Sequence, residues 1–248
     1  MRSTREDSAR QGKESRLAGN LVAHGALMAD SGLMRAGDED LLAGYVTGPA
    51  AATDATAVAL VRADAARVVV LVEGVSDQIA VETLARRQGR NLRAADVAVL
   101  PTGGAHGVTR YLRRFGPEGT GARIVGLCDH AEEHVVRRGL AAAGLGTARS
   151  AGDLERLGFY VCVEDLEDEL IRAAGPVLVL EVFAAHGDLA AFRTIQRQPA
   201  WRGRDEAAQL RRFLGAGAQR KLRYARLLTE AIELDRMPRP LTALLAAV

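Results

Sequence analysis

Two carboxylates flank a glycine-containing turn directly after a run of apolar residues. The run is Val68-Val-Val-Leu-Val72, and it is followed by Glu73 and, four residues later, by Asp77. Five consecutive apolar residues, four of them β-branched, predict a strand that is buried on both faces. Ligands of parallel α/β sheets bind at the carboxyl ends of the strands, which is where this pair would lie. The pair therefore predicts a site for a divalent cation.

Two further strand-like segments also end in acids. Asp129 follows residues 123–128, and Glu164 follows residues 159–163, with Glu167 one helical turn further on. Like charges a few ångströms apart repel and raise each other's pKa unless a cation neutralises them. Oxygen ligands without His or Cys in register favour Mg²⁺ or Mn²⁺, and two such ions can activate a water for phosphodiester cleavage. Acids at strand ends also occur in many α/β folds, so the spacing alone leaves a purely structural role open.

The elements that must position these acids alternate between strand and helix patterns. The predicted strands are 67–73, 97–100, 123–128 and 159–163, and the helices between them include 77–88, 131–143 and 165–174. Repeated βα units imply an α/β fold with a parallel sheet and right-handed crossovers. We expect three regions along the chain. They are a poorly structured or weakly helical tail (1–66), the α/β core (67–175) and a helical extension that completes the site (176–248).

Composition argues against several classes of protein. The 248-residue chain has no apolar run long enough for a membrane-spanning helix, so we expect no membrane partner. Residues 1–16 are polar and charged and lack the apolar stretch of a secretory signal. Cys128 and Cys162 lie in apolar runs and form no CxxC pair, which is typical of buried free thiols rather than a zinc site. We expect a cytoplasmic protein.

Charge is segregated along the chain although the net charge is only +2. Seven acids accompany one base between residues 153 and 169, whereas twelve bases accompany five acids between residues 193 and 239. An acidic site beside a basic surface fits a polyanionic ligand, and the arginines expected to contact nucleic acid are Arg202, Arg204, Arg220 and Arg223. Trp201 lies among them and is either a stacking surface for a base or the anchor of a helix junction. A solvated helical surface is the alternative for the basic run.

Several motifs of the chain resemble those of the TOPRIM domain, the metal-binding unit of topoisomerases, primases and several nucleases. They are Glu73-Gly-x-x-Asp77, the glycine-rich turn of residues 102–107, and Gly126-Leu-Cys-Asp129. Two later segments are similar to motifs of the TOPRIM nuclease half of OLD-family (overcoming lysogenization defect) endonucleases. These are Asp165-Leu-Glu167-Asp-Glu-Leu-Ile171 and Lys221-Leu-Arg-Tyr-Ala225. The resemblance covers about residues 67–235 and implies a Rossmann-like parallel sheet flanked by helices, with a helical C-terminal extension.

The resemblance also implies an activity, which is metal-dependent hydrolysis of phosphodiester bonds in DNA. Glu73, Asp77 and Asp129 would bind one Mg²⁺ or Mn²⁺ ion, and Glu167 would help to hold a second. Glu73 and Lys221 would be the catalytic residues, with Lys221 stabilising charge that builds on the scissile phosphate.

The chain departs from the family pattern in two ways. TOPRIM domains usually carry Asp-x-Asp after the third strand, whereas this chain has Asp129-His130-Ala131, which weakens one metal site. Glu132, Glu133 or His130 could replace the missing ligand, and Glu133 is the candidate we retain. Complete OLD-type enzymes also contain an ABC-type ATPase, but no Gly-x4-Gly-Lys-Ser/Thr motif occurs here. We expect a stand-alone TOPRIM module, with any ATPase supplied by a separate subunit.

Two other functions stay open at the level of sequence. A catalytically degenerate TOPRIM module that binds nucleic acid or a partner without cleavage would explain Ala131. A receiver-type phosphoacceptor also places acids after its first and third strands, but it requires a lysine at the end of a fifth strand, whereas Lys221 lies in a helical pattern. RNA as the substrate and a homodimer as the assembly are open as well.

Overall fold

A computed structural model of the chain describes residues 41–45, 47, 50–104 and 107–248, and the predictions for residues 1–40 lie outside these. Within them, four strands form one parallel sheet in the order β2-β1-β3-β4. The strands are β1 (Val68–Val72), β2 (Val97–Pro101), β3 (Arg123–Cys128) and β4 (Phe159–Val161). The predicted α/β fold with a parallel sheet is therefore confirmed.

Helices cover both faces of this sheet. They are α1 (Ala51–Ala63), α2 (Val75–Arg87), α3 (Val108–Phe115), α4 (Glu133–Ala142), α5 (Ala151–Arg156), α6 (Leu166–Ala185), α7 (Leu189–Arg197), α8 (Glu206–Leu214), α9 (Ala218–Ala231) and α10 (Arg239–Ala246). Among these helices none combines the length and the hydrophobicity needed to span a bilayer.

Strand β1 is apolar along its whole length because its side chains enter two separate cores. Val70 and Val72 pack in a core with residues of α2, α6, α9 and α10, whereas Val69 and Leu71 pack in a core with residues of α1, α3 and α4. A strand covered on both faces has no solvated side, so polar residues would be buried without partners. This double burial fixes the strand end at which Glu73 lies.

Helix α1 lies within the region predicted as a poorly structured or weakly helical tail, but it packs against the sheet. Ala59 and Ala63 are buried in the core beside β2, and the Thr56 hydroxyl donates a hydrogen bond to the carbonyl of Pro101 at 2.8 Å. Alanines four residues apart lie on one helix face and allow a close approach to the strand. Because this face is small rather than strongly apolar, hydrophobic periodicity gave a weak signal for it.

Helix α6 extends beyond residue 174, where the sequence predicted its end, but the helix is kinked directly after that residue. Gly175 has φ of +72°, and Pro176 follows it, so the helical segment is kinked at this point. Proline removes a backbone donor, and glycine tolerates a positive φ, which together interrupt regular helical bonding.

The helices after residue 175 pack on the same core as the sheet. Helix α9 packs against α2 and α6, and α10 packs against β3 and β4. Leu222 and Ala225 on α9 share a cluster with Val75 and Ile79 on α2. Lys221, in the first turn of α9, is therefore held beside the first turns of α2 and α6.

Candidate active site

The acids predicted from the sequence converge at the switch point of the sheet. Strand β1 leads to β2 on one side, and the chain then crosses to β3 on the other side of β1. Leu71 is in register with Gly126, so Glu73 and Asp129 follow adjacent strand ends. Ligands of open α/β sheets bind in the crevice at such a switch point.

Gly126 permits the close packing that places Asp129. A Cβ atom at this position would lie 2.5 Å from Cε1 of Phe159 and 2.9 Å from the carbonyl oxygen of Leu71. No ordinary side chain fits these distances, so the ring of Phe159 packs directly against the backbone of β3.

The carboxyl group of Asp129 lies beside that of Glu73, which acts on it through its negative charge and as a hydrogen-bond partner. Burial and the neighbouring charges of Asp77 and Glu73 raise the pKa of Asp129 to about 9. Asp129 therefore holds a proton at neutral pH in the metal-free protein.

Asp77 lies in the first turn of α2 with 7% of its surface exposed. Its Oδ2 accepts a hydrogen bond from the backbone N–H of Gly74 at 2.7 Å. Burial, followed by the negative charge of Glu167, raises the pKa of Asp77 to about 7, although Lys221 acts in the opposite direction. Asp77 is thus a second carboxyl group whose charge is poorly compensated.

The acidic segment that opens α6 divides into structural acids and one acid that faces the site. Asp165 caps the helix by accepting from the backbone N–H of Asp168 at 2.8 Å. Asp168 and Glu169 both pair with Arg172, each at 2.7 Å. Glu167 instead acts on Asp77, which places its carboxylate toward the switch point.

Lys221 is the cation that pairs with Glu167, the acid of this segment that faces the site. Its Nζ lies 3.2 Å from Oε2 of Glu167. Burial alone would lower the pKa of Lys221, but Glu167, Asp77 and Glu73 outweigh it, so its pKa is raised. The ammonium therefore stays charged and suits charge stabilisation rather than proton abstraction.

The donor set fits a hard divalent cation by its chemistry, although its side chains are engaged with other partners. In the described part of the chain, no three His, Cys, Asp or Glu side chains are arranged closely enough to hold a metal ion. Oε1 of Glu167 is nevertheless buried without a hydrogen-bond partner there, and burial raises the pKa of Glu167. Crowded carboxylates with an unsatisfied buried oxygen are what an oxygen-preferring cation would relieve, after rotation of these side chains.

The replacement ligand predicted for the missing aspartate has another partner. Ala131 lies in the 3₁₀ turn His130–Glu132, directly after Asp129. Glu133 forms an ion pair with Arg137, and its Oε2 is 3.7 Å from Nδ1 of His130. The Glu133 carboxylate thus contacts side chains of its own helix and of the turn before it, and its role as a metal ligand stays a prediction.

The four arginines predicted to contact nucleic acid differ in exposure. Arg202 and Arg204 are exposed on the turn between α7 and α8. Arg220 donates to the carbonyls of residues 213 and 216, at 3.2 and 2.8 Å. Arg223 is only 7% exposed and is paired with Asp188. Arg223 is therefore not part of the exposed basic surface, and its contact with nucleic acid stays a prediction.

Arg211 is a candidate site residue that the sequence did not single out. It lies on α8, and its guanidinium pairs with Oδ2 of Asp165 at 2.8 Å, beside Glu167 and Lys221. Nothing in the local sequence separates Arg211 from the other basic residues of that region, since its partner is distant in the chain.

The receiver-type alternative finds no support in this geometry. The sheet of the described residues has four strands, and Lys221 lies on α9 rather than at a strand end.

The switch-point sheet with acids at its strand ends has the arrangement expected of a TOPRIM domain. More narrowly, residues 66–130 match the model of the "Overcoming lysogenization defect protein-like, TOPRIM domain", so the chain contains an OLD-like TOPRIM domain. The resemblance found in the sequence is thereby confirmed.

Solved structures with the same fold are C-terminal regions of OLD proteins. The C-terminal region of the Xanthomonas campestris pv. campestris OLD protein, in the structure phased with platinum, is 24% identical with a TM-score of 0.57. This match covers 73% of the present chain and 91% of the other. The structure phased with mercury is 25% identical, covers 73% and 93%, and has a TM-score of 0.53. The corresponding region of the Burkholderia pseudomallei OLD protein is 20% identical, covers 73% and 96%, and has a TM-score of 0.52. No curated protein matches the sequence.

Proposed function

We propose that this chain is a divalent-metal-dependent nuclease that hydrolyses phosphodiester bonds in DNA. The observation that carries the proposal is the meeting of Glu73, Asp77 and Asp129 at the switch point, with the charged Lys221 beside them. The relationship to OLD-like TOPRIM domains supports the same assignment.

Each acid has a definite part in the proposed mechanism. Glu73, Asp77 and Asp129 would hold one Mg²⁺ or Mn²⁺ ion, and Glu167 would contribute to a second. A bound ion would supply Lewis-acid chemistry, which polarises a phosphate and lowers the pKa of an attacking water. Asp129 must first release its proton, because a carboxyl group binds a cation in its ionised form.

Lys221 would stabilise the negative charge that develops on the scissile phosphate. A phosphate oxygen can take the place of Glu167 as partner of the ammonium, which leaves the Glu167 carboxylate free to bind a cation. Its raised pKa keeps the group protonated throughout, so a proton is not taken up or released by Lys221 during the reaction.

The proposal is tested by nicking of supercoiled plasmid in Mg²⁺ or Mn²⁺. Wild type should nick, and Glu73→Gln, which keeps the side-chain shape but removes the charge, should lower the rate by about 10²–10³-fold, as for loss of one electrostatic contact in a catalytic site. Glu230→Gln, an exposed acid on α9, is the matched control and should retain the wild-type rate. Full activity of Glu73→Gln would rule out the assigned site.

A catalytically degenerate module that binds nucleic acid or a partner is the second candidate, and the exposed Ala131 favours it. In that case wild type would not nick plasmid with either ion, whereas Ala131→Asp, which supplies the missing carboxylate, would gain nicking. Nicking by wild type that Glu73→Gln abolishes would eliminate this candidate.

A further inference from the structure

A groove of about 540 Å³ opens directly beside the acidic cluster. Glu167 and Lys221 line the groove as well as the cluster, so the two are continuous. The remaining charged walls include Arg204, Arg211 and Arg212, which come from α8 and from the turn before it. A groove of this volume is within the range of about 300–1,000 Å³ that is usual for ligand sites.

The charges of this groove leave a positive surplus. Arg211 is paired with Asp165, and Lys221 with Glu167. Arg204 and Arg212 are exposed and form no ion pair with the part of the chain that the structure describes. Exposed guanidinium groups along a groove attract the phosphates of a nucleic-acid backbone.

Trp201 is held at the rim of the groove, with part of its surface exposed. The nearby Arg212 guanidinium carbon is 6.0 Å from the centre of the indole ring. The ring belongs to none of the buried hydrophobic clusters, which argues against a role as the anchor of a helix junction. A partly exposed indole beside guanidinium groups is a stacking surface for a base.

Gln209 fixes the turn that carries this tryptophan. The side chain of Gln209 is buried, and its Nε2 donates to the carbonyls of Trp201 and Arg204 at 2.8 and 3.1 Å. Its Oε1 accepts from Nε2 of Gln196 at 2.7 Å. The amide therefore uses both ends to tie the turn to α7 and α8, and the ring is positioned before any ligand binds.

We propose that this groove binds single-stranded DNA, with one base stacked on Trp201 and the adjoining phosphates held by Arg204, Arg211 and Arg212. The proposal rests on the proposed nuclease function, since it assigns the form of substrate that reaches the same site. A base within a duplex is covered on both faces by its neighbours and cannot stack on a side chain without leaving the helix. The substrate would thus be a single strand, or a duplex that is unpaired next to the scissile bond.

The chain offers a direct probe, because Trp201 is its single tryptophan. Titration of wild type with a twelve-residue oligothymidylate in EDTA should quench the intrinsic fluorescence to saturation. A blunt hairpin duplex with the same number of nucleotides should bind at least about tenfold more weakly, because stacking contributes little to its binding. Equal affinity for the two, or binding of the single strand without any fluorescence change, would overturn the proposal.

Variants separate stacking from charge. Trp201→Ala should weaken binding of a labelled oligothymidylate, measured by fluorescence anisotropy, by about 5- to 150-fold, and Trp201→Phe should restore most of it. Arg212→Ala should reduce the slope of log affinity against log salt by about 0.7. Arg67→Ala is the matched arginine control, because Arg67 is exposed directly before β1 at the opposite end of the sheet. Affinity of a folded Trp201→Ala protein within twofold of wild type would contradict stacking.

These measurements separate the groove from the proposed nuclease, since EDTA removes any need for metal. Quenching by the single strand in a protein that never nicks DNA would support the groove and refute the nuclease. Nicking by a protein whose tryptophan does not respond to single strands would support the nuclease and refute the groove.

Discussion

Charged side chains are balanced in opposite ways in two regions of this molecule. In the helical part, Arg223 pairs with Asp188, which also accepts a hydrogen bond from the Tyr224 hydroxyl at 2.7 Å. At the switch point, Asp129 faces the carboxyl groups of Asp77 and Glu73, and burial together with these charges raises its pKa. In the first region a guanidinium faces a carboxylate, whereas in the second region carboxyl groups face one another and favour uptake of a proton or a cation. The Arg223–Asp188 pair therefore has a structural role, whereas the crowded acids at the switch point mark the candidate active site.

The largest effect should come from breaking the Arg223–Asp188 pair. Asp188→Asn removes the carboxylate that pairs with the buried guanidinium of Arg223, and loss of one partner of a buried pair costs about 3–5 kcal/mol in the free energy of unfolding. Urea denaturation measures this loss. Asp235→Asn, at an exposed aspartate, is the control and should change stability by less than about 0.5 kcal/mol. A change of similar size in both variants would contradict the comparison.

The same kind of substitution at the switch point should have the opposite sign. Asp129→Asn supplies an amide that can donate to Glu73 without taking up a proton, so it should stabilise the metal-free protein at pH 8 by roughly 1–3 kcal/mol. At pH 4 wild type already holds its protons, and the two proteins should unfold at nearly the same urea concentration. Asp129→Asn should also abolish nicking. If Asp129→Asn instead destabilised the protein at pH 8, Asp129 would be a structural acid.

The acids at the switch point should also make the stability of the protein depend on pH. An aspartate of the unfolded chain titrates near 3.9, whereas the pKa values of Asp77 and Asp129 are raised to about 7 and about 9. Between these values the folded protein binds more protons than the unfolded chain, so the contribution of both groups to stability falls as pH rises from about 4 to about 9. If Mn²⁺ binds at these acids, it should replace these protons.

The thermal unfolding midpoint of the wild type, with and without Mn²⁺, measures this effect. The Mn²⁺-induced increase should be small at pH 5 and grow toward pH 9, and Asp77→Asn should reduce that growth. An increase of equal size at pH 5 and pH 8 would show that the ion binds elsewhere.

The smallest effect is expected at Glu133. Its carboxylate pairs with Arg137 one turn further along α4, and i,i+4 ion pairs on a helix contribute about 0.3–0.5 kcal/mol. Glu133→Gln should therefore change stability by less than about 1 kcal/mol and leave the nicking rate within about threefold of wild type. A loss comparable to that of Glu73→Gln would instead identify Glu133 as the ligand that replaces the missing aspartate.

The sheet and the approach of Glu73 to Asp129 could be predicted because both follow from short-range patterns. The apolar run Val68–Val72 identifies a doubly covered strand, and alternation of strands and helices implies that strand ends share one edge. Helix α1 escaped this reasoning because its buried face consists of alanines, which give little hydrophobic contrast.

The partners of the arginines could not be predicted from the sequence. Arginine is usually a surface residue, and nothing near Arg223 indicates that Asp188, on another helix, neutralises it in the interior. The pair of Arg211 with Asp165 is hidden in the same way. Which acid of the segment 165–169 faces the site depended on the local pairing with Arg172, which only the packed structure reveals.

Anomalous diffraction from crystals soaked in Mn²⁺ at pH 8 would show whether the acids at the switch point bind a divalent cation. We expect an ion bound to Glu73 and Asp129, with the hydrogen bond between these two side chains broken and Asp77 turned toward the metal. Ordered carboxyl groups that keep this hydrogen bond, with no anomalous peak between them, would contradict it.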